Sequence, residues 1–246
     1  MDELEGNYLI KEIPYTNPGK CSEIIVGDKK YIRHAIKTHY IKVGEDNYID
    51  IITKYAVPLY ESEDILSISE KIISICQGRV VYRKDVKVSK LAIFLSKFVE
   101  TTPAGDHVGI PHKMQVAIDL AGPFRIIVAA FVSAITRPFG IRGLFYSIAG
   151  SGIASIDGFE TDFFEDYLDM AILPPLEPTK VCNEIHEKTG IKCMIVDAND
   201  LGVEILGVCE EIKYTKSELE NLIKDNPAGQ EGQSTPMILV RQIKQI

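Results

Sequence analysis

Hydrophobic positions along the chain follow two periods, two residues and about 3.6, and their succession predicts strands interleaved with helices. Glu23-Ile24-Ile25-Val26 and Tyr31-Ile32 flank Gly27-Asp28 and predict a β-hairpin. The next run, Arg33 to Ile41, is strand-like but carries two histidines, an arginine and a lysine. Two readings stand equally here: a basic strand end that meets phosphate, or an exposed edge strand blunted by charge. Asn47 to Tyr55 places Ile49, Ile51, Ile52 and Tyr55 at helical spacing, and Pro58 stops that helix. Ile65 to Ile68 reads as a buried strand that delivers Ser69-Glu70-Lys71 at its end. Those three are either a ligand group, since ligands in α/β folds gather at the carboxyl ends of strands, or a helix start with Ser69 as N-cap.

In Ser89 to Val99, Leu91, Phe94, Leu95 and Phe98 share one helical face and read as core. Thr101 to Pro111 is a long loop with His107, and His112 follows it; solvated loop histidines are the expectation for both. Met114 to Leu120 and Arg125 to Ile135 are helices separated by Gly122-Pro123. The second is apolar nearly all round, as a central buried helix or a subunit interface would be. Phe145 to Ile156 is an apolar run that delivers Asp157 into a turn at Gly158. Thr161 to Met170, with Asp162, Glu165, Asp166 and Asp169, reads as a solvated acidic loop. Ala171 to Leu176 is a strand stopped by proline, and Thr179 is the expected cap of a helix ending before Gly190.

Cys193-Met194-Ile195-Val196 is a buried strand followed at once by Asp197-Ala198-Asn199-Asp200. This is a turn, which Asp and Asn favour, or a mouth of acidic oxygens suited to a hard divalent cation. Thr215-Lys216-Ser217-Glu218 is a capping box ahead of Leu219, Leu222 and Ile223. A polar glycine loop, Asn226 to Pro236, leads to a closing strand from Met237 to Val240.

Composition narrows the class. The 246 residues suit one large domain or two interlocked lobes, and 46% hydrophobic with 25% charged residues is ordinary globular usage. A net charge of −8 argues against a nucleic-acid partner held by phosphate neutralisation. Five cysteines without a CxxC pair argue against a disulfide framework or a cysteine-rich zinc site. The acidic Met1-Asp2-Glu3-Leu4-Glu5 is no signal peptide, and the longest apolar run falls far short of the roughly 20 residues that span a bilayer, so a cytoplasmic protein without a membrane partner is expected. No phosphate loop of the G-x-x-x-x-G-K-[ST] type occurs.

Several blocks in order carry a family resemblance. They are Ile36-Lys37-Thr38-His39 with Gly44-Glu45-Asp46, Asp64-Ile65-Leu66 through Gln77-Gly78-Arg79, Ile156-Asp157-Gly158, Leu173-Pro174-Pro175-Leu176-Glu177-Pro178, Thr189-Gly190-Ile191-Lys192, Ile195 to Asn199, and Gly229-Gln230 through Pro236. Together they resemble the coenzyme F(420)-0:L-glutamate ligase family, the deazaflavin γ-glutamyl ligases. The chain departs from the usual pattern where Ala198, in place of threonine, follows Asp197, and where Ile75 replaces a lysine ahead of Gly78-Arg79. The stretch from about Lys84 to Arg142 looks like the helical insert of a divergent branch.

The resemblance implies an α+β fold with mixed sheets and packed helices, a single γ-glutamyl ligase-like domain over 1–246 or two interlocked lobes, and an intertwined homodimer. It implies a GTP-dependent amide ligase, ATP being the other nucleotide, that uses Mg²⁺ or Mn²⁺. A carboxylate is activated as an acyl phosphate, and the amine of L-glutamate attacks it. The acceptor is the carboxylate tail of a cofactor, deazaflavin or folate. Carried over by position, Asp157, Asp197 and Gln230 match metal-proximal residues. Lys37, Thr38 and His39 fall on the first nucleotide-binding segment, Ser69, Glu70 and Lys71 on the second, and Gly229-Gln230 open the phosphate-side loop. Lys37 or Lys71 would add positive charge; Asp200 and His39 are the candidate bases, and no catalytic residue is assigned. The alternative is a nucleotide- or cofactor-binding homologue without turnover on the same fold.

Overall fold

The computed structural model describes residues 17, 20–98, 108–141, 143–159, 168–199, 202–229 and 234–243. The fold is α+β and separates into two compact units, Met1–Gly78 with Pro175–Ile246, and Arg79–Pro174.

The first unit is built on a six-stranded mixed sheet. The predicted hairpin forms as β1 (Glu23–Val26) and β2 (Lys29–Ile36), with Gly27 in the left-handed conformation that the tight turn requires. α1 (Tyr48–Tyr55) starts on Asn47, whose side chain accepts the Ile49 N–H, a cap that contributes about 1 kcal/mol. β3 (Ile65–Ser69) runs into α2 (Glu70–Cys76). After the second unit the chain returns through α8 (Pro178–Thr189), β7 (Cys193–Asn199), β8 (Gly202–Val208), α9 (Lys216–Ile223) and β9 (Met237–Ile243). The strand order is β1-β2-β9-β3-β7-β8, parallel between β3 and β7 and antiparallel at the other pairings.

That order settles the basic stretch after the hairpin. β2 lies between β1 and β9, so it is not an edge strand, and Arg33 and His34 are buried. Their side chains point to opposite faces, as strand alternation demands. Arg33 grips Asp225 with both terminal nitrogens and also donates to the carbonyls of Cys21 and Leu222. Desolvation pulls the Asp225 carboxyl up, but its bonds to Arg33 outweigh that and the net shift is down. Arg241 of β9 makes a matching clamp on Asp64, donating through Nε at 2.8 Å and Nη2 at 2.6 Å. Neither arginine is free to meet a phosphate.

The second unit pairs β4 (Val80–Tyr82), β6 (Met170–Ile172) and β5 (Asp157–Gly158) in an antiparallel three-stranded sheet of order β4-β6-β5. Its helices are α3 (Lys90–Ser96), α4 (Pro111–Ala121), α5 (Pro123–Thr136), α6 (Leu144–Ala149) and α7 (Ser151–Ala154). Val108, Met114, Val116, Ala117, Ile126, Ala129 and Ile156 are central to its core.

Local readings fail here in instructive ways. The expected core stripe of α3 keeps only Leu95 buried among its large residues; Phe94 and Phe98 are exposed at 57% and 58%. α5 is not a buried central helix, because Phe124, Ile127, Phe131 and Ile135 all face solvent. His112 is no loop histidine: it stands in α4, half-buried, edge-on to Phe159. The run from Phe145 is helical as α6 and α7. Glu177, not Thr179, takes the N-cap position of α8, in left-handed geometry. Among the described residues no single helix is long and apolar enough to cross a membrane, and α4 meets α5 at a bend of 117°.

Candidate functional site

Register brings most of the predicted segments to one rim of the six-stranded sheet. Met237 at the start of β9 pairs with Ile36 at the end of β2 on one side and with Ile68 of β3 on the other. Ile68 is in turn level with Ile195 of β7. The residues just beyond this row are therefore Lys37-Thr38-His39, Ser69-Glu70-Lys71, Val196-Asp197 and, from the opposite chain direction, Ser234-Thr235-Pro236. Two backbone bonds sew the rim together: Thr38 N–H donates to Ser234 C=O at 2.9 Å, and Ser69 N–H donates to Pro236 C=O at 2.8 Å.

Each segment has its own brace. Thr38 is buried and its hydroxyl turns back to the His39 carbonyl, while Lys37 is exposed. His39 contacts Tyr55 Oη through Nδ1 and Asp46 Oδ1 through Nε2, both at 2.8 Å. The acceptor-only carboxylate of Asp46 assigns the proton to Nε2, so Nδ1 accepts from the phenol. Partial burial raises the Asp46 pKa, but the Lys42 N–H and the His39 ring outweigh it and hold the carboxyl below its usual range. Ser69 sits at the N-cap position of α2, yet its hydroxyl makes no capping bond. The helix start is therefore present, and the Ser69 hydroxyl is not spent on capping it.

Asp197 lies inside β7, opposite Glu204, not in a turn; residues 200 and 201 lie outside the described residues. β-Pairing of Asp197, Ala198 and Asn199 with Glu204, Val203 and Gly202 overrode their turn preference. A bulge between Ile195 and Val196 re-aims the strand just before Asp197.

Asp157 belongs to the second unit. Its Oδ1 accepts the Gly158 N–H at 2.7 Å. Gly158 has φ +92°, and a Cβ there would stand 2.1 Å from the Met170 carbonyl oxygen, so glycine is obligatory at the turn. Arg83 braces this corner by donating to the Phe159 and Leu168 carbonyls and stacking on the Phe159 ring. Among the described residues no group of three or more His, Cys, Asp or Glu is gathered to hold a metal ion. Gln230 and Asp200 lie outside the described residues, as do His107, Asp162, Glu165 and Asp166.

Local sequence patterns missed the parts that organise the rim: Asn17, Thr235, and the Asp46–Tyr55 bracket around His39. Their partners are distant in sequence or fall across a turn, so no periodicity marks them.

A family model described as F420-0:gamma-glutamyl ligase matches residues 35–200. The chain belongs to this family. The match takes in β3, α2 and β7 with their rim residues, and the whole of the Arg79–Pro174 unit. It ends before β8, α9 and β9, so the strand that joins β2 to β3 lies beyond it. No curated protein matches the chain.

Proposed function

We propose that this member of the F420-0:γ-glutamyl ligase family is an amide-forming ligase that joins L-glutamate to the carboxylate tail of a cofactor, deazaflavin or folate, at the cost of a nucleoside triphosphate. The observation that carries this reading is the convergence of Lys37–His39, Ser69–Lys71, Asp197 and the leg before β9 on one sheet rim. GTP is the expected nucleotide, with ATP the other.

The chemistry moves a phosphoryl group and then an acyl group. The acceptor carboxylate attacks the γ-phosphorus and displaces the nucleoside diphosphate, giving an acyl phosphate. The amine of L-glutamate attacks the acyl carbon, a C–N bond forms, inorganic phosphate leaves and the amine proton is lost. Such phosphoryl transfer rests on positioning and charge compensation. Lys37 and Lys71 supply rim cations, and the Thr38 and Ser69 backbones fix the edge on which the nucleotide lies. His39 is engaged at both ring nitrogens, so it braces the first segment and is a poor candidate for the base.

Asp197 and Gln230 of the first unit would hold Mg²⁺ or Mn²⁺, which would neutralise phosphate charge, and Asp157 of the second unit is a metal-proximal candidate in its own right. Their hard oxygens suit these ions, and Mg²⁺ prefers one or two carboxylates completed by water and substrate phosphate over an all-protein cage. The exposed apolar face of α5, with Phe124, Ile127 and Phe131, supports the homodimer, since contiguous exposed apolar surface marks association sites.

Mass spectrometry on purified protein with Mg²⁺ or Mn²⁺, GTP or ATP, L-glutamate and either deazaflavin precursor or reduced folate tests the proposal. A product heavier by glutamyl units, absent in Asp157→Ala and Asp197→Ala, is expected and names the acceptor. Nucleotide binding without any glutamylated product would replace it with the binding-only reading, which Ala198 favours because the residue beside Asp197 brings no hydroxyl.

A further inference from the structure

The leg of chain that enters the rim before β9 is closed by a residue from the far end of the sequence. Asn17 is 2% exposed. Its Nδ2 donates to the carbonyls of Pro227 at 2.8 Å and Ala228 at 2.6 Å, and lies 3.1 Å from Thr235 Oγ1. Thr235 is buried too, and its hydroxyl donates to the Ala228 carbonyl at 2.8 Å. One carboxamide and one hydroxyl thus join Pro227-Ala228 to Thr235. Around this clasp the backbone is held in left-handed conformations at Asn226, Gly229 and Ser234, with φ of 47°, 76° and 54°. Two of these residues are not glycine, and such conformations persist only where the surroundings enforce them. Ser234 and Pro236 then carry the rim bonds to Thr38 and Ser69.

We infer that Asn17 is a positioning residue for nucleotide binding: it ties Pro227-Ala228 to Thr235 and thereby fixes the Ser234–Pro236 leg that bonds to the rim at Thr38 and Ser69. The inference rests on the reading that this rim takes the nucleotide. Its chemical requirement is specific. Two N–H donors must face two carbonyl oxygens, and only the amide offers them; an aspartate of the same shape is an acceptor and would confront both carbonyls. Without the clasp the leg must be ordered at the binding step, a cost that appears in affinity.

The test compares Asn17→Asp with the wild type, and Thr235→Val with Thr235→Ser. Amide exchange at Ala228, Gly229 and Thr235 in the free protein reads the clasp, and calorimetry with Mg-GTP plus steady-state kinetics reads its consequence. Expected are faster exchange in Asn17→Asp and Thr235→Val, a rise in nucleotide KM and Kd of about tenfold with kcat within about twofold and glutamate KM unchanged, and recovery in Thr235→Ser, which keeps the hydroxyl. If Asn17→Asp does not fold, the Thr235 pair decides alone. Faster exchange with unchanged nucleotide affinity would overturn the positioning role and leave a purely structural clasp. Unchanged exchange would overturn the clasp itself. A wild type that binds no Mg-GTP or Mg-ATP would overturn the nucleotide reading and this inference with it, whatever the exchange shows.

Discussion

His34 offers a sharp test of the sheet's interior. It is 2% exposed on β2, and among the described residues neither ring nitrogen has a hydrogen-bond partner. Burial pushes its pKa down from 6.5 to about 4; the nearby Arg241 guanidinium pushes the same way and Asp64 opposes. The folded state therefore keeps the ring neutral, while the unfolded chain takes up a proton below pH 6.5. The unfolded state binds more protons between pH 6.5 and 4, so stability falls as pH falls through that window. At about 1.4 kcal/mol per pKa unit, the displacement from 6.5 to about 4 is on the order of 3 kcal/mol. The perturbation is His34→Leu, which fills a similar volume and removes the unpaired nitrogens. At pH 7.5 the variant should be at least as stable as the wild type, because a buried polar group without a partner costs roughly 1–3 kcal/mol. Urea unfolding followed by circular dichroism at pH 7.5, 6, 5 and 4.5 measures both proteins. The gap between them should widen by most of that 3 kcal/mol on acidification. A gap that stays constant with pH would refute the assignment of a buried neutral His34.

Three further outcomes are expected. Gly158→Ala forces a positive φ on alanine and drives its Cβ into the Met170 carbonyl, so the Arg79–Pro174 unit should lose on the order of 3 kcal/mol, seen as a lower melting temperature, and glutamyl transfer should fall with the displaced Asp157. Phe124→Asp with Phe131→Asp should turn a dimer into a monomer by light scattering while leaving far-ultraviolet dichroism unchanged; a wild type that is monomeric refutes the interface. The Asp46 carboxyl should titrate below 3.8 by NMR, and His39→Gln should move it upward, because the ring bond is one of the forces holding it down; an unmoved Asp46 would assign the depression to the Lys42 N–H alone.

What the sequence made legible was local. The hairpin turn at Gly27-Asp28, the capping box at Thr215, where Glu218 reciprocates, and the core strands at Ile65 and Cys193 each follow from a few adjacent residues. What it hid depends on pairing across the chain. Arg33 looked like a phosphate ligand until Asp225, 192 residues away, accounted for its charge. Asn17 carries no signal of its own, because its partners lie 210 residues off. Phe94 and Phe98 looked like core because helical spacing reports that a face is apolar and not what covers it, and for α5 the same pattern left a buried helix and a subunit interface both open. Asp197 looked like a turn residue because its pairing with Glu204 outweighs a preference that is only a weak prior.

The rim itself is the clearest case of function assembled by topology. The family match stops at residue 200, yet β9, which begins at Met237, is the strand between β2 and β3. Neighbouring strands lie about 4.8 Å apart, so Lys37–His39 and Ser69–Lys71 emerge about 10 Å apart with β9 between them. The leg that fills this gap, Ser234 to Pro236, hydrogen-bonds to both flanks and is closed behind by Asn17. Neither flank touches the other through a ladder of its own. A chain ending at residue 200 would leave facing ladder edges on β2 and β3 unpaired, and such edges invite aggregation. The matched segments are therefore brought to a common rim only once the last strand has been inserted, and the residues that secure it lie before and after the region by which the family is recognised.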